Sequence, residues 1–210
     1  MSTESKERIT VYTIGHANHE LDAFLALLGR HAIGAVADVR TSPYSARFAH
    51  FNREPLSSAL SRCGVDYAFF GDRLGGRPRD AGCYDRGQVR YDRVARTKLF
   101  AEGIEQLLTL ARRRATALLC AEKDPLSCHR TLLVGRRLHE AGVAVMHILG
   151  DGGLETQTAA EDRLLDDLGL PHGDLFQSRA EFVEQAYERQ SHRVAFALSE
   201  AERAAQEAMP

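Results

Sequence analysis

The sequence predicts an α/β domain on a mainly parallel sheet of about five strands, followed by a C-terminal helical extension. Two observations predict it. Short apolar runs alternate with segments of helical period, the order of parallel strands and their crossover helices. The composition, 44% hydrophobic and 27% charged over 210 residues, is that of a folded chain long enough to bury its own core. No run approaches the ~18 apolar residues that span a bilayer. The opening MSTESKERIT is polar and lacks the apolar stretch of a signal peptide. The expected setting is cytoplasmic, with no membrane partner.

Five runs are read as strands: Ile9–Ile14, Ile33–Asp38, Val65–Phe70, Thr116–Ala121 and Val143–Leu149. They are short, and most are rich in β-branched or aromatic residues, as buried strands are. Leu21, Phe24, Leu25 and Leu28 make the apolar stripe of a first helix, with Asn18 as its cap. A second helix is expected from Arg53 to Cys63, capped by Asn52 and stopped by Gly64. A third covers Asp92 to Arg113, and a fourth runs from Ser127 to Ala141 and stops at Gly142. Residues 9–150 form the α/β domain on this reading, and 151–210 an acidic helical extension packed on it. Asp174-Leu175-Phe176 is an apolar anchor before a last helix from Ser178 to about Ala208.

One connection is anomalous. Gly71 to Arg90 shows neither period and holds Gly75-Gly76 and five arginines. Structureless connections of that length are usually functional, and a mobile lid or anion-binding loop is expected. The net charge of −2 also hides an asymmetry. From Arg40 to Lys98 there are 12 basic and 6 acidic side chains, and from Asp151 to Pro210 there are 5 and 13. The basic region suits an anionic small molecule or a nucleic acid. Thr41 to Asn52 interleaves aromatics with basic and hydroxyl groups, which fits base stacking and equally fits a loop anchored on the sheet by Phe48 and Phe51.

Open parallel sheets bind ligands beyond the carboxyl ends of their strands. The first strand ends in Thr13-Ile14-Gly15-His16, the second in Asp38-Val39-Arg40, and the fourth runs into Cys120–Arg130 (CAEKDPLSCHR). With Ser127 as cap, Cys128 and His129 fall in the first turn of the fourth helix. Unsatisfied N–H groups there favour a thiolate and an anion. The candidate catalytic residues are Cys128, His129, His16, Asp38 and Glu122. Arg40, Arg47, Asn52, Arg130, Gly75, Gly76 and Arg77 are candidates for holding an anionic substrate. Four cysteines are too few for a disulfide scaffold. Cys120, Cys128 and His129 offer soft ligands for iron or zinc, although Cys-x7-Cys-His is no standard zinc spacing. A reversible Cys120–Cys128 disulfide is a further option. Cys63 is read as a core residue, and Cys83 as an exposed loop thiol.

These residues carry a resemblance. The chain resembles the bacterial family catalogued as domain of unknown function 488 in Thr13–His16, Asp38–Arg40, Phe51-Asn52 and above all Cys120–Arg130, over residues 9–150. Gly71–Pro78 and the Asp-Leu-Phe at 174–176 resemble one widespread subgroup of it. The resemblance implies a Rossmann-like three-layer sandwich and an enzyme site at the cysteines and histidine, with no particular reaction attached. The leading expectation is a cysteine-dependent or metal-assisted hydrolase or transferase acting on a phosphorylated or nucleotide-like substrate. A metal-binding or thiol-redox protein and a nucleic-acid-binding module are the alternatives.

Overall fold

The computed structural model describes residues 9–200 and 202. Its strands are β1 (Thr10–Gly15), β2 (Ala35–Asp38), β3 (Asp66–Phe69), β4 (Tyr84–Asp85), β5 (Gln88–Val89), β6 (Thr116–Cys120), β7 (Ala144–Ile148) and β8 (Leu154–Thr156). Its helices are α1 (Leu21–Arg30), α2 (Arg53–Arg62), α3 (Gly71–Leu74), α4 (Tyr91–Val94), α5 (Lys98–Ala111), α6 (Arg136–Glu140), α7 (Gln157–Asp167) and α8 (Arg179–Val194). A π-helical stretch, Arg130–Gly135, leads directly into α6.

Six strands form one sheet in the order β3-β2-β6-β1-β7-β8, parallel except for β8. All five expected strands are present. The sequence reading lacks β8, a three-residue strand that folds back antiparallel on β7. β6 lies between β1 and β2, and all five of its residues are buried. That explains its unbroken apolar run, since a strand covered on both faces has no reason to alternate. Alternate side chains still part to opposite faces. Ala117 and Leu119 join α1 and α2, whereas Leu118 and Cys120 join the core shared by α5, the π-helical stretch and α6–α8. The result is a three-layer sandwich. In register, Gly15 is level with Cys120 and Asp38 with Leu119, so β1, β2 and β6 end together.

Several boundaries differ from expectation, each for a local reason. The residue before α1 is Glu20, not Asn18. Asn52 does precede α2, but its side chain accepts a hydrogen bond from Ser45 N instead of capping the helix. The expected third helix is two, because Thr97 caps α5 by accepting from Phe100 N. Gly64 and Gly142 take the left-handed conformations (φ 72° and 80°) that end their helices. The Gly71–Arg90 segment is no free lid. It holds α3, a buried Cys83 and the β4–β5 hairpin. α8 stops at Val194 because Ala195 is extended (ψ 141°), and Phe196 and Leu198 then hydrogen-bond to the hairpin at Val89 and Gly87. The rest of the expected last helix, from 203 to 208, lies outside the described residues. Leu175 and Phe176 are 97% and 91% exposed, so they anchor nothing within the chain. Cys63 is exposed as well, the reverse of its expected burial.

Candidate functional site

The site is built from the loop after β6. Cys120 closes the strand, and the chain turns through Pro125–Ser127, where Asp124 accepts from Leu126 N. Cys128 is extended (φ −141°, ψ 143°), so Ser127 is not the cap and Cys128 precedes the helix. Its carbonyl accepts from Thr131 N and Leu132 N, and its sulfur accepts from Arg130 N at 3.4 Å. The thiol thereby does the capping work usually given to a hydroxyl or carboxylate.

Arg130 points inward. It is fully buried and donates to the carbonyls of Glu122 (2.6 Å) and Lys123 (3.1 Å), and its Nε has no partner. The expectation that it grips a substrate anion gives way to a different role, tying the loop against the end of β1. Gly15 permits that approach, because a Cβ there would stand 1.8 Å from the Glu122 carbonyl oxygen. Among the described residues no carboxylate pairs with this buried cation, which leaves it free to stabilise negative charge on Cys128.

Cys120 Sγ, Cys128 Sγ and His129 Nδ1 lie within 4.8 Å of one another. Nδ1 is 3.6 Å from Cys120 Sγ and 3.8 Å from Cys128 Sγ. The far ring nitrogen, Nε2, is 2.9 Å from the Val39 carbonyl. A carbonyl only accepts, so Nε2 carries a hydrogen and Nδ1 is the nitrogen that faces the two sulfurs. Gly76 backs the ring, with its absent Cβ 3.0 Å from the imidazole. Burial raises the Cys128 pKa, but the Cys120 hydrogen bond, the Arg130 charge and His129 outweigh it and hold the thiol well below its ordinary value. Burial, then the hydrogen bond and charge of Cys128, push Cys120 well up. Burial lowers His129, yet the Cys128 charge and hydrogen bond raise it overall. Cys128 is thus the thiolate of the pair and Cys120 the protonated thiol. Cys120 is the donor, with Glu122 Oε2 at 3.0 Å.

Arg40 borders this cluster. Asp38, fully buried, accepts from its Nε (2.9 Å) and Nη2 (2.6 Å) and from the Tyr67 hydroxyl (2.8 Å), and Nη2 also reaches the Phe51 carbonyl. Asp38 is therefore the brace of Arg40, with its oxygens committed. A cleft of about 610 Å³ opens over the cluster, walled by Arg40, Glu122, Arg77, Tyr91 and Phe196. Burial, then the Cys128 and Cys120 charges, push Tyr91 up, so its phenol stays protonated and can donate.

Of the sequence candidates, Cys120, Cys128, His129, Glu122, Arg40, Gly76 and Arg77 line the cleft. His16, Asp38, Arg47, Asn52, Arg130 and Gly75 do not. Arg47 is exposed over the Phe48 ring (5.2 Å), and Phe51 is buried against His16. Those two aromatics anchor a loop and present no stacking platform. Tyr44, in the aromatic-rich Thr41–Asn52 segment, also lines the cleft, as do Tyr91 and Phe196, which no spacing or composition marks.

His16 stacks on Phe51 with ring centroids 4.5 Å apart, and its Nδ1 donates to the Ala17 carbonyl. Burial, then the Arg40 charge, lower its pKa from 6.5 to about 4. As pH falls below 6.5 the unfolded chain takes up this proton first. The stability tied to neutral His16 is complete above that pH and is lost as pH falls through 4. Melting temperature is expected to fall over this window, and His16→Gln to flatten the slope. An unchanged slope in the variant would remove His16 as a cause.

Fold and site together define a parallel α/β domain with a buried cysteine–histidine cluster at the carboxyl ends of its central strands. The family model described as domain of unknown function DUF488 matches residues 20–136, more than half of the chain, which therefore belongs to that family. No curated protein and no solved structure matches it. Among the described residues no helix is long and apolar enough to cross a membrane.

Proposed function

We propose that this protein is a metal-assisted hydrolase or transferase for a phosphorylated or nucleotide-like substrate, with zinc or ferrous iron held by Cys120, Cys128 and His129. The single observation behind this reading is the shape of the cluster. Ligand bonds of about 2.3 Å to sulfur and 2.0 Å to nitrogen set tetrahedral S···N edges of about 3.5 Å, and the observed edges are 3.6 and 3.8 Å. The Nε2–H to carbonyl bond is the outer-shell support that metal-ligating histidines use. Three protein ligands leave one side open to the cleft, as in catalytic sites.

A bound cation supplies Lewis acidity at that open side. Glu122, exposed beside Cys120, takes the proton from the attacking water and returns it to the leaving group. Arg40, aimed by Asp38, holds the substrate's anionic group. The depressed Cys128 pKa favours a second reading, in which its thiolate is the nucleophile and His129 the acid–base partner.

Metal analysis of untagged protein purified without oxygen separates them. About one equivalent of zinc or iron is expected in the wild type, falling at least tenfold in Cys128→Ser and His129→Ala. A metal-free wild type whose Cys128 alkylates rapidly below the ordinary thiol pKa would overturn the first reading and establish the second.

A further inference from the structure

A second chamber of about 470 Å³ lies beside the cleft. The two share Thr41 and Arg77 on their walls, so they adjoin. The partition is the segment that looked like a lid in sequence. Gly76 faces His129 on one side, and Gly75, Pro78 and Arg79 face the chamber on the other. Thr41 Oγ1 accepts from Arg77 N at 3.1 Å, and a Cβ on Gly75 would stand 2.5 Å from that oxygen. The tight packing of this partition against Thr41 therefore depends on glycine.

The chamber differs from the cleft in chemistry. Phe69, Cys83, Val94 and Leu99 give it apolar walls, and Arg73, Arg77, Arg79 and Lys98 surround them with positive charge. Its two acids are already engaged, Asp72 with Arg73 and Asp80 with Gly82 N. Arg73 and Lys98 pair with Asp72 and Glu102, whereas Arg77, stacked over the Phe196 ring at 4.2 Å, and Arg79 have no ion-pair partner among the described residues. Apolar walls exclude a ligand that is only an anion, and the uncompensated cations exclude one that is only apolar.

We infer that the chamber is the specificity subsite for the aromatic ring of a phosphate ester, a nucleoside monophosphate being the smallest member of the class. The ring packs among Phe69, Val94 and Leu99. The phosphate sits at the shared wall against Arg77 and Arg79, and the reacting end points toward Cys120, Cys128 and His129. That last placement rests on the proposed function; binding in the chamber does not.

Calorimetric titration of the full chain with the four nucleoside 5′-monophosphates, adenosine and inorganic phosphate tests the inference. At least one monophosphate is expected to bind at least tenfold more tightly than either adenosine or inorganic phosphate. Leu99→Glu and Arg79→Glu should each weaken that binding at least tenfold, through like-charge repulsion of the phosphate. Leu99 is half exposed, and unchanged metal content and melting temperature in both variants would show that their folds are intact. No monophosphate binding by the wild type, or binding indifferent to both substitutions, overturns the inference. A metal-free wild type that binds a monophosphate through Leu99 and Arg79 would sink the proposed function and leave the chamber assignment standing.

Discussion

Gly15→Ala is expected to destabilise the fold by about 3 kcal/mol or more and to lower the melting temperature by roughly 6–12 °C. The added methyl would stand 1.8 Å from the Glu122 carbonyl oxygen and 2.9 Å from Arg130 Nη1. The Glu122 carbonyl is backbone, and Gly15 is held in register with Cys120 of β6, so no rotamer change relieves the clash. The loop from Cys120 to Cys128 must move outward. Arg130 then loses its two carbonyls while remaining buried, which adds the cost of an unsatisfied cation. Metal content should fall with stability, because Cys128 and His129 hang on that loop. Gly29→Ala is the control. It lies in α1 with nothing within 4 Å of the added atom, and alanine there should be neutral or stabilising by up to about 1 kcal/mol. Equal melting temperatures for the Gly15 variant and the wild type would show that the loop yields freely.

The parts of the fold legible in sequence are those buried on both faces. β6 and its neighbours read as strands because a covered parallel strand has no polar side to blur its pattern. β8 and the β4–β5 hairpin escaped because two or three residues cannot display a period. Only the turn residues Arg86 and Gly87 (φ 48° and 80°) hint at the hairpin. The break between α4 and α5 escaped for the opposite reason. The helical period runs through Thr97, and its capping role depends on a side-chain bond that pattern does not report.

The candidate site was legible as a set of residues, not as an arrangement. Cysteines, a histidine and an acid in eleven positions after a strand stand out chemically. What assembles them are bonds between distant positions, such as His129 to Val39 and Arg40 to Phe51. Arg130 looked like an anion ligand because arginine usually reaches solvent. In the fold it sits in the π-helical stretch and turns into the core, the kind of local irregularity that collects at functional sites. Tyr91 and Phe196 reach the cleft only because the hairpin and the strap after α8 fold over it.

Asp38→Asn should cost about 3–5 kcal/mol, the range for breaking a buried ion pair by removing one member. Asp38 and Arg40 are 0% and 6% exposed and share two hydrogen bonds, with Tyr67 and Arg40 N adding further donors to the same carboxylate. An asparagine keeps one acceptor oxygen and turns an NH2 toward Arg40, whose groups only donate, so at least one donor of an uncompensated guanidinium is stranded. The consequence reaches the cleft. Arg40 no longer has a fixed direction at the wall of the cleft. Pairing Asp38→Leu with Arg40→Met tests the mechanism, since removing both charges spares the fold the stranded cation. The double variant should be more stable than Asp38→Asn by 1 kcal/mol or more. If Asp38→Asn melts within a degree or two of the wild type, the pair is no brace, and Arg40 takes its aim from the Phe51 carbonyl instead.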